Sequence, residues 1–371
     1  MINRDRLVKE FIELISIDSL TLKERNMADT LKNKLEGMGL EVYEDDAGKK
    51  VRGNCGNIIG SKKGNKNAPG ILLMAHMDTV VPCIGKKPQI HGNIIKTDGT
   101  TILGGDDVAG IVCILEALRV IGEENEQHGD IQVAFTIAEE GGLLGAKNLD
   151  YGNISAKYCF VLDDGGEIGR VAVTAPSQNK LDIVVKGKAA HAGVEPEKGI
   201  SAISIAADAI SKMKLGRIDE ETTANIGIIS GGNATNIVCD RVELKAEARS
   251  RCPKKLEEQT LHMKQRFMDA ADSWKGQVEF HEELVYPSFK INETDEIVSV
   301  LKKAAQNAGL KLVLEATGGG SDTNIVNSKG IQAVDISVGM DKVHSVEEQI
   351  KIDDLVKAAG FLVEIIKSVE K

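Results

Sequence analysis

The sequence predicts an α/β protein whose mixed, largely parallel sheet is flanked by helices and whose chain is interrupted by an inserted α+β domain. Three observations carry that expectation. Apolar runs of strand length alternate with stretches of helical spacing through the first half of the chain. Three of those runs end in carboxylate or imidazole side chains, the layout of a parallel sheet that delivers functional groups at its carboxyl edge. The pattern changes at Val173-Thr174-Ala175-Pro176-Ser177 and resumes after Pro287-Ser288, which sets the expected boundaries at 1–176, 177–288 and 289–371.

In chain order, Arg6 to Ile15 and Met27 to Met38 carry apolar residues at helical spacing, and Leu40 to Tyr43 reads as a short strand. Gly60 to Gly70, rich in Lys, Asn and Gly, predicts an exposed turn before the Ile71 strand. Asp107 to Val120 is a predicted helix with Asp106 at its amino end, a junction that can hold a carboxylate firmly. Ile131 to Ala138 and Tyr158 to Leu162 are strands. The insert reads as strand (Leu181 to Val185), helix (Ile200 to Met213), strands (Asn225 to Ile229, Val242 to Ala248), helix (Lys255 to Ala271) and strand (Val278 to Glu283). After it come a helical start at Thr323 to Val326 and a strand at Ala333 to Val338.

Bulk properties narrow the function. The 371 residues are ample for two domains, and 46 Lys and Arg against 56 Asp and Glu give a net charge of -10 without a sustained basic block. No nucleic acid and no membrane surface is expected as a partner; a small molecule or peptide fits better. The six cysteines (Cys55, Cys83, Cys113, Cys159, Cys239, Cys252) form no CxxC pair, and three sit inside apolar runs, which favours a reducing interior. The amino terminus lacks a signal-peptide core and no apolar run approaches the ~20 residues of a membrane span, so a cytoplasmic location is expected.

The ligand-type residues form a series. His76 and Asp78 close the Ile71-Leu72-Leu73-Met74-Ala75 run, followed by Gly104-Gly105-Asp106-Asp107, Glu139-Glu140, Asp163 and, late in the chain, His344. Singly, each has an ordinary reading: a structural histidine, a helix cap, a solvated strand exit. Together they have the layout of a metal site. Ala75-His76-Met77-Asp78-Thr79, the segment Asp98 to Asp107, Ala138-Glu139-Glu140-Gly141, Val161-Leu162-Asp163 and Gly318-Gly319-Gly320-Ser321-Asp322 resemble, in order, segments of the M20-type dinuclear zinc peptidases and amidohydrolases. That family includes tripeptidase (peptidase T), carboxypeptidase of the glutamate-releasing type and succinyl-diaminopimelate desuccinylase; the peptidase T-like branch looks nearest.

The resemblance implies two divalent metal ions per chain, zinc by default, with cobalt or manganese compatible with the same imidazole and carboxylate donors. His76, Asp106 and Asp163 would hold one ion, with Asp164 a rival for Asp163; Asp106, Glu140 and His344 would hold the other, Asp106 bridging. Asp78 would accept the second N–H of His76, and Glu139 would be the general base for a metal-activated water. His91, His128, His262 and His281 are assigned no role.

In the insert, Ala190-His191-Ala192-Gly193 with Pro196, Gly199 and Ala202 resembles the family's lid motif, whose His contacts the reacting carbonyl oxygen, often in the neighbouring subunit's site. Asn236 and Arg249 match the substrate-binding Asn and the carboxylate-binding Arg, although Cys239 stands where the family usually has Pro. The insert would thus be a lid and dimerisation domain in a homodimer. The Gly318–Gly320 run could offer backbone N–H groups to a substrate or oxyanion, or serve as a hinge. The implied activity is cleavage of short peptides by an aminopeptidase or tripeptidase. The alternatives are an N-acyl amino acid deacylase or carboxypeptidase of the same family, acting on an acylated amino acid or a peptide, and, from another class, a catalytically silent binding protein on this fold. The intact Glu139 and the complete ligand set argue against the last.

Overall fold

A computed structural model describes residues 1–370. The chain divides into two compact units. The first comprises Met1–Val173, Lys290–Ala316 and the chain from Ser321 onward; the second comprises Thr174–Phe289 together with a short excursion, Thr317–Gly320.

The first unit is built on a mixed sheet. Four central strands, in the order Ile131–Thr136, Ile71–His76, Tyr158–Gly165 and Gln332–Asp341, run parallel. Both flanks are antiparallel: Ile58–Lys62 and Glu41–Glu44 on one side, Gln349–Lys351, Ile94–Lys96 and Gln89–His91 on the other. Every residue of Ile71–His76 and Ile131–Thr136 is buried, as strands covered on both faces require. The helix Gly105–Glu123 lies against Ile71–His76 and Tyr158–Gly165, with a continuous buried run from Asp107 to Leu118. Around it pack the helices Arg4–Ile15 and Ile352–Ser368.

Three local expectations shift. Ile58–Lys62 is a strand that runs into the expected Gly60 to Gly70 turn; Ile58 and Ile59 are fully buried and pair with Phe135 and Ala134, and tertiary pairing outweighs the local Gly and Lys content. The predicted helix from Asp107 starts at Gly105 and continues to Glu123, but Asp106 and Asp107 keep non-helical backbone angles. The strand expected to reach Ala138 ends at Thr136, because Ala138 adopts the left-handed conformation with φ 47°.

The second unit is a five-stranded antiparallel sheet in the order Gly216–Arg217, Thr222–Gly231, Arg241–Ser250, Ser177–Lys186, Gln277–Tyr286. Strict alternation buries Leu181, Ile183 and Val185 on one face and leaves Lys180 exposed on the other. Helices Ala202–Ser211 and Pro253–Trp274 cover that face, contributing Ile205, Met263 and Phe267 to its core. Ser201 caps the first helix with its side chain, and Pro253 begins the second, where a missing N–H costs nothing.

Candidate functional site

Parallel strands that end together bring their last side chains together. His76 closes its strand with a buried ring. Its Nδ1 lies 2.8 Å from the backbone carbonyl of Asp78, which can only accept, so Nδ1 donates and, in the neutral ring, Nε2 carries the lone pair. Nε2 faces Asp106 Oδ1 at 2.9 Å and Asp163 Oδ1 at 3.5 Å. The expected carboxylate partner of the ring is therefore replaced by main chain. Asp78 Oδ1 stands 3.6 Å from Nδ1 and accepts the Glu139 N–H at 2.9 Å, while Oδ2 accepts the Thr21 hydroxyl at 2.8 Å. Asp78 steers His76 through its carbonyl and the Glu139 backbone through its side chain.

Asp106 sits in the turn that opens the helix Gly105–Glu123, after Gly104 in the left-handed region at φ 76° and joined to Asp107 by a cis peptide. One of its carboxylate oxygens meets His76, and the other, Oδ2, lies 3.2 Å from Nε2 of His344. Asp107 turns the opposite way: its oxygens accept the N–H groups of His76 (3.1 Å) and Gly110 (3.0 Å), so it binds strand to helix. The two neighbouring acids thus divide, one facing the cluster and one capping.

Glu139 and Glu140 divide in the same manner. Glu140 Oε1 is 2.7 Å from Nε2 of His344, whereas Glu139 stands with His76 and Asp163 in a group whose ligand atoms all lie within 4.8 Å of one another. His76, Asp106 and Glu140 form a second such group. Asp163 points to His76; Asp164 instead faces the guanidinium of Arg170 at 3.5 Å and takes the N–H of Gly165. His344, with φ 60° and its side chain half exposed, closes the cluster from a loop.

Electrostatics here are those of crowded acids. Burial, followed by the charge of Asp163, pushes the Glu139 carboxyl well above its ordinary range, and the same causes do so for Asp107. Burial would lower His76, but Asp163 and Asp106 outweigh it and raise the imidazole well above its usual value. His344 is pushed up to about 10 by Asp106 and then Glu140. Such a set of imidazoles and mutually repelling carboxylates has the chemistry of a divalent-cation site.

Four residues at the site were assigned no role from the sequence, although Asp322 closes the Gly318–Asp322 segment. Buried Glu24 accepts the N–H groups of Leu22 (2.7 Å) and Ala138 (3.1 Å), holding the left-handed turn that presents Glu139. Asp335 accepts the Asp163 N–H at 3.0 Å and the Ser321 hydroxyl at 2.6 Å; a charged residue in the middle of the apolar strand Ala333 to Val338 was a visible signal. Asp322 accepts the Thr136 hydroxyl at 2.6 Å. Glu348 accepts two N–H groups of the Asp106 turn.

The remaining candidates lie in the second unit. His191 and Asn236 belong to adjoining loops: Ala192 N–H donates to the Asn236 carbonyl at 2.9 Å, and Gly193 N–H donates to His191 Nδ1 at 3.1 Å. Arg249 has its fork on Glu247, with Nε and Nη2 at 3.0 and 2.9 Å from the two oxygens, and lines a cavity of about 100 Å³ with Arg217, Arg251, Thr317 and Gly318. Its two forked donors are thereby engaged within its own strand, an arrangement the carboxylate-binding expectation did not include. Within the glycine run, Gly320 is required by packing, since a Cβ there would come within 2.3 Å of the Tyr286 ring. Ser321 then caps the helix Asp322–Ser328 in a capping box with Asn324.

The profile of Peptidase family M20/M25/M40 matches residues 72–368, spanning this whole ligand series. The chain belongs to that family. This M20 peptidase is 48% identical to the protein YqjE of Bacillus subtilis over 371 residues, all of both chains. Among solved structures it is similar to aminopeptidase PepT of Bacillus cereus (46% identity, TM-score 0.93, all of both chains). It is similar also to a tripeptidase of Staphylococcus aureus (43% identity, TM-score 0.97, covering 100% and 99%). These relatives place the M20 peptidase in the peptidase T-like branch.

The Glu24 contacts generate a testable expectation. Glu24→Ala leaves the buried N–H groups of Leu22 and Ala138 without an acceptor, and should lower stability by ~1–3 kcal/mol. Because Ala138 orients Glu139, peptidase kcat should also fall, by up to about 10²-fold for a displacement near 1 Å. Steady-state kinetics and thermal denaturation beside the exposed Glu36→Ala control check this; an unchanged kcat would leave Glu24 a purely structural residue.

Proposed function

We propose that this M20 peptidase is a dinuclear metal-dependent aminopeptidase of short peptides, acting as a tripeptidase. The observation that carries the reading is the split carboxylate of Asp106, with one oxygen toward His76 and the other toward His344. A bridging ligand needs that disposition, and each imidazole has a further acid at hand, Asp163 for His76 and Glu140 for His344. Similarity to a PepT aminopeptidase and to a tripeptidase, each across the full chain, supports the substrate class.

In this reading His76, Asp106 and Asp163 would hold one ion and Asp106, Glu140 and His344 the other, with zinc the best match for two imidazoles among carboxylates and cobalt or manganese acceptable. When bound, such ions polarise the scissile carbonyl and acidify a water. Glu139 takes the water's proton and passes it to the leaving amine. Asp78 fixes Glu139 by accepting its N–H and fixes the His76 tautomer through its carbonyl. His191 donates to the developing oxyanion, and Asn236 and Arg249 bind substrate, Arg249 after exchanging Glu247 for the peptide carboxylate.

The second unit is proposed as the lid and dimerisation domain, residues 177–288. Past the two residues paired with Gly216–Arg217, the strand Thr222–Gly231 is a sheet edge, and it exposes Ile228 and Ile229, each 55% accessible. An apolar edge of this kind suits pairing with a second copy. A cytoplasmic location is proposed with it: all six cysteines are free, and among the described residues no helix is long and apolar enough to cross a membrane.

The substrate assignment is tested by incubating metal-loaded protein with di- and tripeptides, N-acyl amino acids and carboxypeptidase substrates, with products identified by mass spectrometry. Release of amino-terminal residues from tripeptides at the highest kcat/KM is expected; preferred turnover of acylated amino acids would make it a deacylase. A second test separates the paired glutamates. Glu139→Ala should lose about 10²–10⁴-fold in kcat and keep two ions per chain by elemental analysis, while Glu140→Ala should lose metal affinity. The opposite pattern would reverse their roles. A third test concerns His191. His191→Ala and Glu139→Ala should each be nearly inactive, and co-refolding them should restore activity in proportion to mixed dimers counted by native mass spectrometry. Mixed dimers without activity would remove His191 from the partner's site.

A further inference from the structure

Glu348 is almost fully enclosed, at 1% exposure, and its carboxylate receives two main-chain donors from one turn: Gly104 N–H at 2.7 Å and Asp106 N–H at 3.0 Å. That turn lies 242 residues away and carries the carboxylate that faces both histidines. Gly105, between the two donors, leaves room for this contact; a Cβ there would stand 3.1 Å from Glu348 Oε1.

The backbone of Glu348 is tied to Ser345, the residue after His344. The strands Gln332–Asp341 and Gln349–Lys351 pair antiparallel, Asp341 opposite Gln349, so residues 342–348 form the loop of a hairpin with His344 in it. Glu348 N–H donates to the Ser345 carbonyl at 3.0 Å, closing that loop one residue after His344. One side chain therefore spans the two loops that supply the facing ligand atoms Asp106 Oδ2 and His344 Nε2.

Each oxygen of Glu348 meets one donor of this turn, Oε2 the Gly104 N–H and Oε1 the Asp106 N–H. Glutamine, of the same length, offers one acceptor oxygen and one donor amide, and so cannot receive two adjacent N–H groups with both ends. A glutamate can accept on both oxygens, as it does here.

We propose that Glu348 is a positioning residue that locks the His344 loop to the Asp106 turn and thereby sets the spacing of the ligands for the second metal ion. The inference rests on the dinuclear reading of the site. Glu348 touches neither ion nor substrate; it acts through the backbone that aims Asp106 and through the loop that carries His344.

The test uses the full-length protein with Zn²⁺ and Co²⁺ as probes. Stepwise Zn²⁺ affinities are measured by competition with a chromophoric chelator for wild type, Glu348→Gln and a stability control, Glu116→Gln, which alters a buried acid bound to Arg6 away from the site. The visible spectrum of the protein loaded with two Co²⁺ reports ligand geometry directly. Glu348→Gln should weaken one of the two ions about 10–100-fold, leave the other within about threefold, and shift the Co²⁺ bands, whereas Glu116→Gln should change none of these. Gly105→Ala, which presses on Glu348, should give a milder version and serves where Glu348→Gln does not fold. Wild-type affinities and an unchanged spectrum in Glu348→Gln overturn the proposal, as does equal weakening of both ions in Glu348→Gln and Glu116→Gln. A wild type that binds fewer than two ions overturns the dinuclear reading itself, and this inference with it.

Discussion

At the carboxyl edge of the parallel strands, Asp106 holds one oxygen toward His76 and the other toward His344, and the surrounding structure exists to keep that carboxylate where it is. Acids at such separations repel strongly in a buried setting: burial, followed by the charge of Asp163, drives Glu139 and Asp107 toward the neutral form. An arrangement of this kind survives only when the backbone around it is held from several directions. Asp107 ties the turn to the His76 strand, Glu348 accepts its N–H groups, and the helix Gly105–Glu123 anchors it in the core.

The same logic repeats around the other members of the cluster. Glu139 is aimed by Asp78 from one side and, through the left-handed Ala138, by Glu24 from another. Asp163 is aimed by Asp335, which is itself held by the Ser321 hydroxyl. Each outer carboxylate accepts backbone N–H groups of the segment it positions, so the inner side chains are left to face one another. The outer acids are as much a part of the site's construction as the inner ones, because a displaced backbone moves a ligand as surely as a substitution does.

The second unit follows a simpler physical plan, with one apolar face of an antiparallel sheet covered by two helices. Its candidate site residues lie in loops and strand ends: His191 beside Asn236, and Arg249 with its fork engaged by Glu247. The Glu247 contact engages the Arg249 fork within its own strand, a pairing that a sequence pattern does not display.

Much of this protein was legible in its sequence because strand and helix periodicities are local properties of the chain. The runs ending at His76 and before Asp163 were recognisable as buried parallel strands, and the insert's six elements were each in place, from the Leu181 strand to the Val278 strand. The clustering of these side chains was readable for a related reason: strands that run parallel end at one edge, so order along the chain becomes proximity in space. Tertiary structure decided the rest. Whether the His76 ring meets the Asp78 carboxylate or its carbonyl depends on where Thr21 and Glu139 lie, and neither is near it in sequence. Glu24 and Glu348 look like ordinary surface acids in their local contexts; only the fold buries them against Ala138 and the Asp106 turn. Periodicity records which face of an element is apolar, whereas the partner of a buried polar group is set by long-range packing, and that choice exists only once the chain has folded.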